Sequence, residues 1–198
     1  MKSICLAVLC VTAFACSDET ELKKSVFIRD ETSPELPQYS EWGYNTFGAY
    51  YDRQPFVSSD FDVPVKVIHK NNGTSFLFSG EKLSNVRSTR FSITFILSDF
   101  HPQTYADLIA LHNTTIDLTV PGREVFITDG SRSDTVQIIS GELNFVRAQH
   151  LLVDEQPEEV ILSGVFEFQI LVDGMNNAIP FFNASSAFLL SDSLCVPE

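Results

Sequence analysis

No apolar run in this sequence reaches the roughly 20 residues that a membrane-spanning helix needs. Basic residues are scarce as well. Thirteen Lys and Arg stand against 26 Asp and Glu, for a formal net charge of −13. That balance repels phosphate backbones and excludes nucleic acid as a partner. Cysteine is scarcer, at four in 198 residues. Cys5 and Cys10 fall in the apolar opening stretch, Cys16 follows it directly, and Cys195 stands near the C-terminus. Loss of the opening stretch leaves too few thiols for a disulfide framework. A CxxC pair, a Cys/His cluster with metal spacing, a Gly-rich phosphate loop, a GxSxG elbow and an HExxH helix are all missing. The expectation is therefore no cofactor, no metal site and no assigned catalytic residue. His69, His101, His112 and His150 lie at unrelated spacings, and each reads as a surface or strand-edge residue.

What is present begins with an address. Residues 1–15, "MKSICLAVLCVTAFA", carry a positive Lys2, an apolar stretch from Ile4 to Phe14, and small Ala13 and Ala15 at cleavage-site spacing. This is the pattern of a secretory signal peptide. Cys16 comes next, and "AFAC" resembles a bacterial lipobox, with Ala13 where Leu is more usual. That resemblance implies cleavage before Cys16 and its acylation by chains such as palmitate. Each buried methylene contributes about 0.8 kcal/mol, so several chains hold a protein stably to a membrane. Ser17, Asp18 and Glu19 follow, and an acidic tract there resembles the surface-export signal of Bacteroidetes lipoproteins. The implied location is the outer membrane, lipid-anchored and surface-exposed.

Residues 16–40 are polar and charged, with Pro34 and Pro37 near their end, and read as a flexible tether. As a coil it would reach roughly 25–30 Å. "SVFIRD" (25–30) interrupts it and is a candidate edge strand.

From Glu41 to Glu198 the pattern is that of one β-domain. "RFSITFILS" (90–98) alternates strictly and puts Phe91, Ile93, Phe95 and Leu97 on one face. "TFGAYYD" and "PFVSS" flank Arg53-Gln54 as a hairpin, "VPVKVIHK" and "TSFLFSG" flank "NNG", and "EVFITD" and "TVQIIS" flank "GSRS". "PQTYADLIALHN" (102–113) is the one helical candidate. "SGELNF" (140–145) is echoed by "SGVFEF" (163–168), as two antiparallel neighbours around "VDEQPEE" would be. Short strands with one short helix predict an all-β fold, an antiparallel β-sandwich or open barrel.

"EWGYNTFGAYYDRQPF" (41–56) resembles the opening hairpin of a family of Bacteroidetes surface lipoproteins, in which an Asn-Thr-Phe-Gly strand leads into a short turn. "GELNFVR" and "ILSGVFEFQ" resemble the closing strands of the same family. Ala49 stands where that family often has Cys, and the "AIPFFNASSAF" ending also departs from it. The family carries no established activity, so the resemblance implies fold and location only.

Three groups of residues are candidates for chemistry. Trp42, Tyr44 and Tyr51, with Tyr50 among them, are candidate sugar platforms, because aromatic rings stack on sugars and hydrogen-bond at their edge. The alternative is that Trp42 and Tyr50 pack the edge of the domain. Glu142 and Glu167 are expected as outward-facing diagonal neighbours about 7–8 Å apart, within reach of a two-carboxylate glycosidase arrangement. Thr135 in "DTV" and Ser193 in "DSL" resemble the Bacteroidetes O-glycosylation triplet. The leading expectation is a surface protein with a binding or scaffolding role, with carbohydrate or another surface protein as partner. A glycan-directed hydrolase and a structural subunit of a surface complex are the alternatives.

Overall fold

The computed structural model describes residues 25–42, 44–58, 64–70, 72–82, 88–153, 156–171 and 184–190. Ten strands form one antiparallel sheet: β1 (Gly48–Tyr51), β2 (Gln54–Val57), β3 (Val65–Lys70), β4 (Gly73–Lys82), β5 (Thr89–Leu97), β6 (Thr114–Asp117), β7 (Arg123–Asp129), β8 (Arg132–Val153), β9 (Gln156–Leu171) and β10 (Ala184–Leu190). The order is β2-β1-β10-β9-β8-β7-β5-β4-β3, with β6 added beside β8. The sheet curls into a half-barrel. A short pairing of β2 with β4 stitches its two ends. The sandwich alternative is thus replaced by a single continuous sheet.

Sequence alternation fills the interior of the curl. Phe76 and Phe78 of β4, and Phe91, Ile93, Phe95 and Leu97 of β5, are all buried. They meet Phe47, Phe56, Phe145, Phe166 and Phe168 from other parts of the sheet, mostly in edge-to-face or tilted ring pairs. Such pairs add about 0.5–1.5 kcal/mol each beyond area burial. Among the described residues the core is therefore packed around a block of phenylalanine rings.

Turn chemistry sets the hairpins. Asp52 and Arg53 both take positive φ, 48° and 65°, and close β1 onto β2 as a two-residue loop. That places the first turn one residue earlier than Arg53-Gln54. The second hairpin closes with Lys70 opposite Gly73. The third closes through Gly130-Ser131, with Asp129 opposite Arg132. The helical candidate shrinks to a single 3₁₀ stretch, Tyr105–Leu111, the only helix among the described residues. Asp107 reaches back to accept from the backbone N–H groups of Gln103 and Thr104, at 2.7 and 2.8 Å, and so fixes its start.

The curl comes from β8 and β9. Extra residues bulge at Ile139 and Val146 in β8, and another in β9 opposite the Leu151–Leu152 step. Bulges bend a strand and raise its twist. Between the two β8 bulges the register is unbroken and nearly symmetric. Gly141 opposes Phe168, and Gly164 opposes Phe145. This accounts for the echo between "SGELNF" and "SGVFEF": in each copy the Gly lies across from the other copy's Phe.

Part of the expected tether is corrected. Residues 25–40 lie on the outside of the sheet rather than free of it. Val26 N–H donates to the Tyr44 carbonyl at 2.9 Å, Arg29 bridges Pro37, and Tyr39 Oη donates to Ser163 Oγ at 3.4 Å. Leu36 is buried, and Pro37 packs so closely on Gly48 that a Cβ there would lie 2.3 Å from its ring. Pro34 and Pro37 shape a hooked turn, in which the Asp30 carboxylate accepts from Thr32 and Ser33. Residues 1–24, including Cys16, Ser17, Asp18 and Glu19, lie outside the described residues, as do Ser193 and Cys195.

Candidate functional site

The segment that crosses from this strap into β1 carries the sole tryptophan of the chain. Ser40 is buried, and its Oγ accepts from the Trp42 N–H at 3.1 Å, which fixes the backbone beneath the indole. Trp42 is 72% exposed. So exposed a residue is not packed into the edge of the domain formed by the described residues. Tyr44 and Tyr50 are half-buried.

Beside Trp42, Glu41 Oε2 accepts from the Arg147 guanidinium at 2.7 Å, with both side chains 36% exposed. Arg147 reaches outward because of the bulge at Val146. Leu143 and Phe145 point into the core, and unbroken alternation would send Arg147 in after them. Tyr39 lies under the same segment, where burial raises its hydroxyl pKa. Next to the exposed Trp42 in the chain there is thus a carboxylate paired with a guanidinium, both partly exposed and able to hydrogen-bond toward solvent.

Tyr51 does not join this group. It is the last residue of β1 and lines a second cleft of about 380 Å³, together with Asp129, Arg132, Thr135 and Leu171. Arg147 is opposite Ser163 and Leu171 is opposite Gln137, so the two regions are eight residues of β9 apart. That is about 26 Å of strand. The structure therefore splits the sugar-platform candidates, and it brings Tyr51 together with the glycosylation candidate Thr135. Burial raises the Tyr51 hydroxyl pKa, with the Asp129 charge adding to it. Lys82 pairs with Asp129 at 2.5 Å, and its ammonium lies 5.3 Å from the Tyr51 ring centre and 5.2 Å from that of Phe91. The cation is held in place by attraction to the ring faces as well as by the ion pair. Thr135 is exposed.

The carboxylate pair is closer than expected. Glu142 and Glu167 are directly opposite each other, not diagonal. Cβ atoms in such pairs are about 4.5–5.5 Å apart. They are opposite rather than diagonal because the hairpin closes between Val153 and Gln156, not around all of "VDEQPEE", and the two bulges in between, one in each strand, cancel in register. Asp117 opposes Glu142 from β6, so three carboxylates form a row across three strands along a cleft of about 430 Å³. Hydrogen bonds from the Thr119 side chain and backbone hold the Asp117 carboxyl below its usual range. All three lie on the exposed outer face. Among the described residues no group of three or more His, Cys, Asp or Glu is placed to hold a metal ion.

No family model, curated protein or solved structure matches this chain.

Two features escaped sequence reasoning. The Glu41–Arg147 pair joins residues 106 apart in sequence, and only the Val146 bulge brings them together. The exposure of Trp42 has no periodic signal, because one residue in an irregular segment has no face.

Proposed function

We propose that this chain is a lipid-anchored surface protein that binds carbohydrate through an aromatic platform at Trp42. The exposed indole carries the reading. A 72% exposed tryptophan beside a carboxylate–guanidinium pair suits a sugar, whose apolar ring face stacks while its hydroxyls take hydrogen bonds. The lipobox-like "AFAC" and the acidic residues after it support the location.

Trp42 is the only tryptophan, so emission excited selectively over the five tyrosines reports on this surface alone. Titration with the recognised glycan should shift that emission. Trp42→Ala should weaken binding by at least about 1–2 kcal/mol. Its stability should stay within about 0.5 kcal/mol of the parent, because little of the ring is buried. A large loss of stability, or glycan binding that survives Trp42→Ala, would refute the platform.

Location has its own test. Cys16→Ser should move the protein from the membrane fraction to the soluble one. Unchanged partitioning of the correctly cut variant would refute the anchor.

A hydrolase reading has one observation in its favour, the direct opposition of Glu142 and Glu167. It is the weaker reading because the pair lies on the outer face of the sheet, open to water on its exposed side. Glycan cleavage that is lost in Glu167→Gln would reverse that order.

A further inference from the structure

Two histidines that the sequence separates by 32 positions meet at one corner of the half-barrel. His69 is the penultimate residue of β3, and His101 follows β5. Their ring centroids are 5.8 Å apart and their planes are perpendicular, at 89°. One buried hydroxyl ties both in place. Thr74, opposite His69 in the β3–β4 hairpin, donates its single O–H to the carbonyl of Phe100 at 2.7 Å. Phe100 packs against the core and stacks on Phe76, so the backbone that carries His101 is anchored.

The same hydroxyl selects a tautomer for His69. Its proton is already committed to Phe100, so toward His69 Nδ1, 3.1 Å away, it acts as an acceptor. The neutral imidazole therefore carries its proton on Nδ1 and keeps the Nε2 lone pair free. This is the outer-shell arrangement that orients metal-ligating histidines. Nitrogen ligands bind Zn²⁺ at about 2.0–2.1 Å, which puts the centroids of two imidazoles on one ion roughly 5–6 Å apart. The observed 5.8 Å falls in that range. The strongly negative chain also concentrates cations at its surface.

The geometry points to a two-imidazole site, His69 and His101, for a divalent transition-metal ion of the zinc or copper class. Imidazole nitrogen suits both ions, and copper(II) binds such donors more tightly than zinc does. Two protein ligands leave the remaining positions to water or to an incoming donor. The inference is independent of the anchor and of the Trp42 platform.

The test uses the full chain in detergent, titrated with Cu²⁺ and followed by electron paramagnetic resonance. A parallel titration measures Zn²⁺ by competition with a chromophoric chelator. One equivalent of Cu²⁺ should bind with nitrogen hyperfine structure. His101→Ala should weaken binding at least tenfold, and because that side chain is exposed, its loss leaves the fold intact. His69→Ala should do the same, while His150→Ala should bind as the parent does. Thr74→Val should weaken binding by about 10–100-fold with both imidazoles still present. Copper bound without nitrogen hyperfine structure, binding that survives His101→Ala, or no saturable binding of either ion would overturn the site.

Discussion

Phe166→Ala should lower the unfolding free energy by about 3–5 kcal/mol, the usual cost of emptying a buried aromatic position. Phe166 is 3% exposed, and its ring lies among those of Phe95, Phe78, Phe168 and Phe47, with centroids 5.0, 5.4, 5.9 and 6.1 Å away. These partners come from β5, β4, β9 and the segment before β1, so the ring joins opposite sides of the curl. Neighbouring rings on stiff strands cannot collapse into the gap, which keeps the cavity term large. Phe27→Ala is the matched control. That residue is 38% exposed on the outer strap and lies outside the aromatic core, so its loss should cost clearly less, about 1–2 kcal/mol. Urea melts of the two variants and the parent, with unchanged m-values, measure the difference. Equal midpoints would refute the packed-block description of the core.

The residues behind this prediction were largely legible in the sequence. Strict alternation in "RFSITFILS" identified Phe91, Ile93, Phe95 and Leu97 as inward-facing, and all four are buried. Phe166 and Phe168 belong to the echoed "SGVFEF", and both are buried. Alternation fails as a guide in β8, where extra residues at Ile139 and Val146 each reverse the parity. Ile138, Leu143, Phe145 and Ala148 all serve the core, yet no single period of two connects them. Of the strap, only "SVFIRD" stood out as a candidate edge strand, because the strap's buried apolar residues, such as Leu36 and Pro37, are too few to show as a pattern. The candidate sites were less legible still. Glu41 with Arg147, and His69 with His101, are contacts across the sheet, and their existence depends on register and bulge position rather than on local composition.

The bulges and the close strand approach between them are also where a small change has a large effect. Gly141→Ala should destabilise the fold by about 2–6 kcal/mol, and two separate costs make up that figure. Gly141 has a φ of +149°, a conformation essentially reserved to glycine, and a side chain forced into it costs about 1–3 kcal/mol. A Cβ there would also lie 2.3 Å from the Phe168 Cβ and 2.5 Å from its Cα, neither of which is a flexible side-chain end. Overpacking of that kind costs about another 1–3 kcal/mol. Gly130→Ala separates the two costs. Gly130 has a φ of +64°, but its nearest contact for a new Cβ is the Thr89 methyl at 3.6 Å, an ordinary van der Waals distance. It should show the backbone cost alone, and Gly130→Asn should recover most of it, because asparagine tolerates that conformation. Thermal melts of Gly141→Ala, Gly130→Ala and Gly130→Asn should therefore rank in that order, with Gly141→Ala the lowest. If Gly141→Ala instead matches Gly130→Ala, β8 and β9 can separate at the Gly141–Phe168 pair without penalty, and the close approach there is not what holds the sheet in its curl.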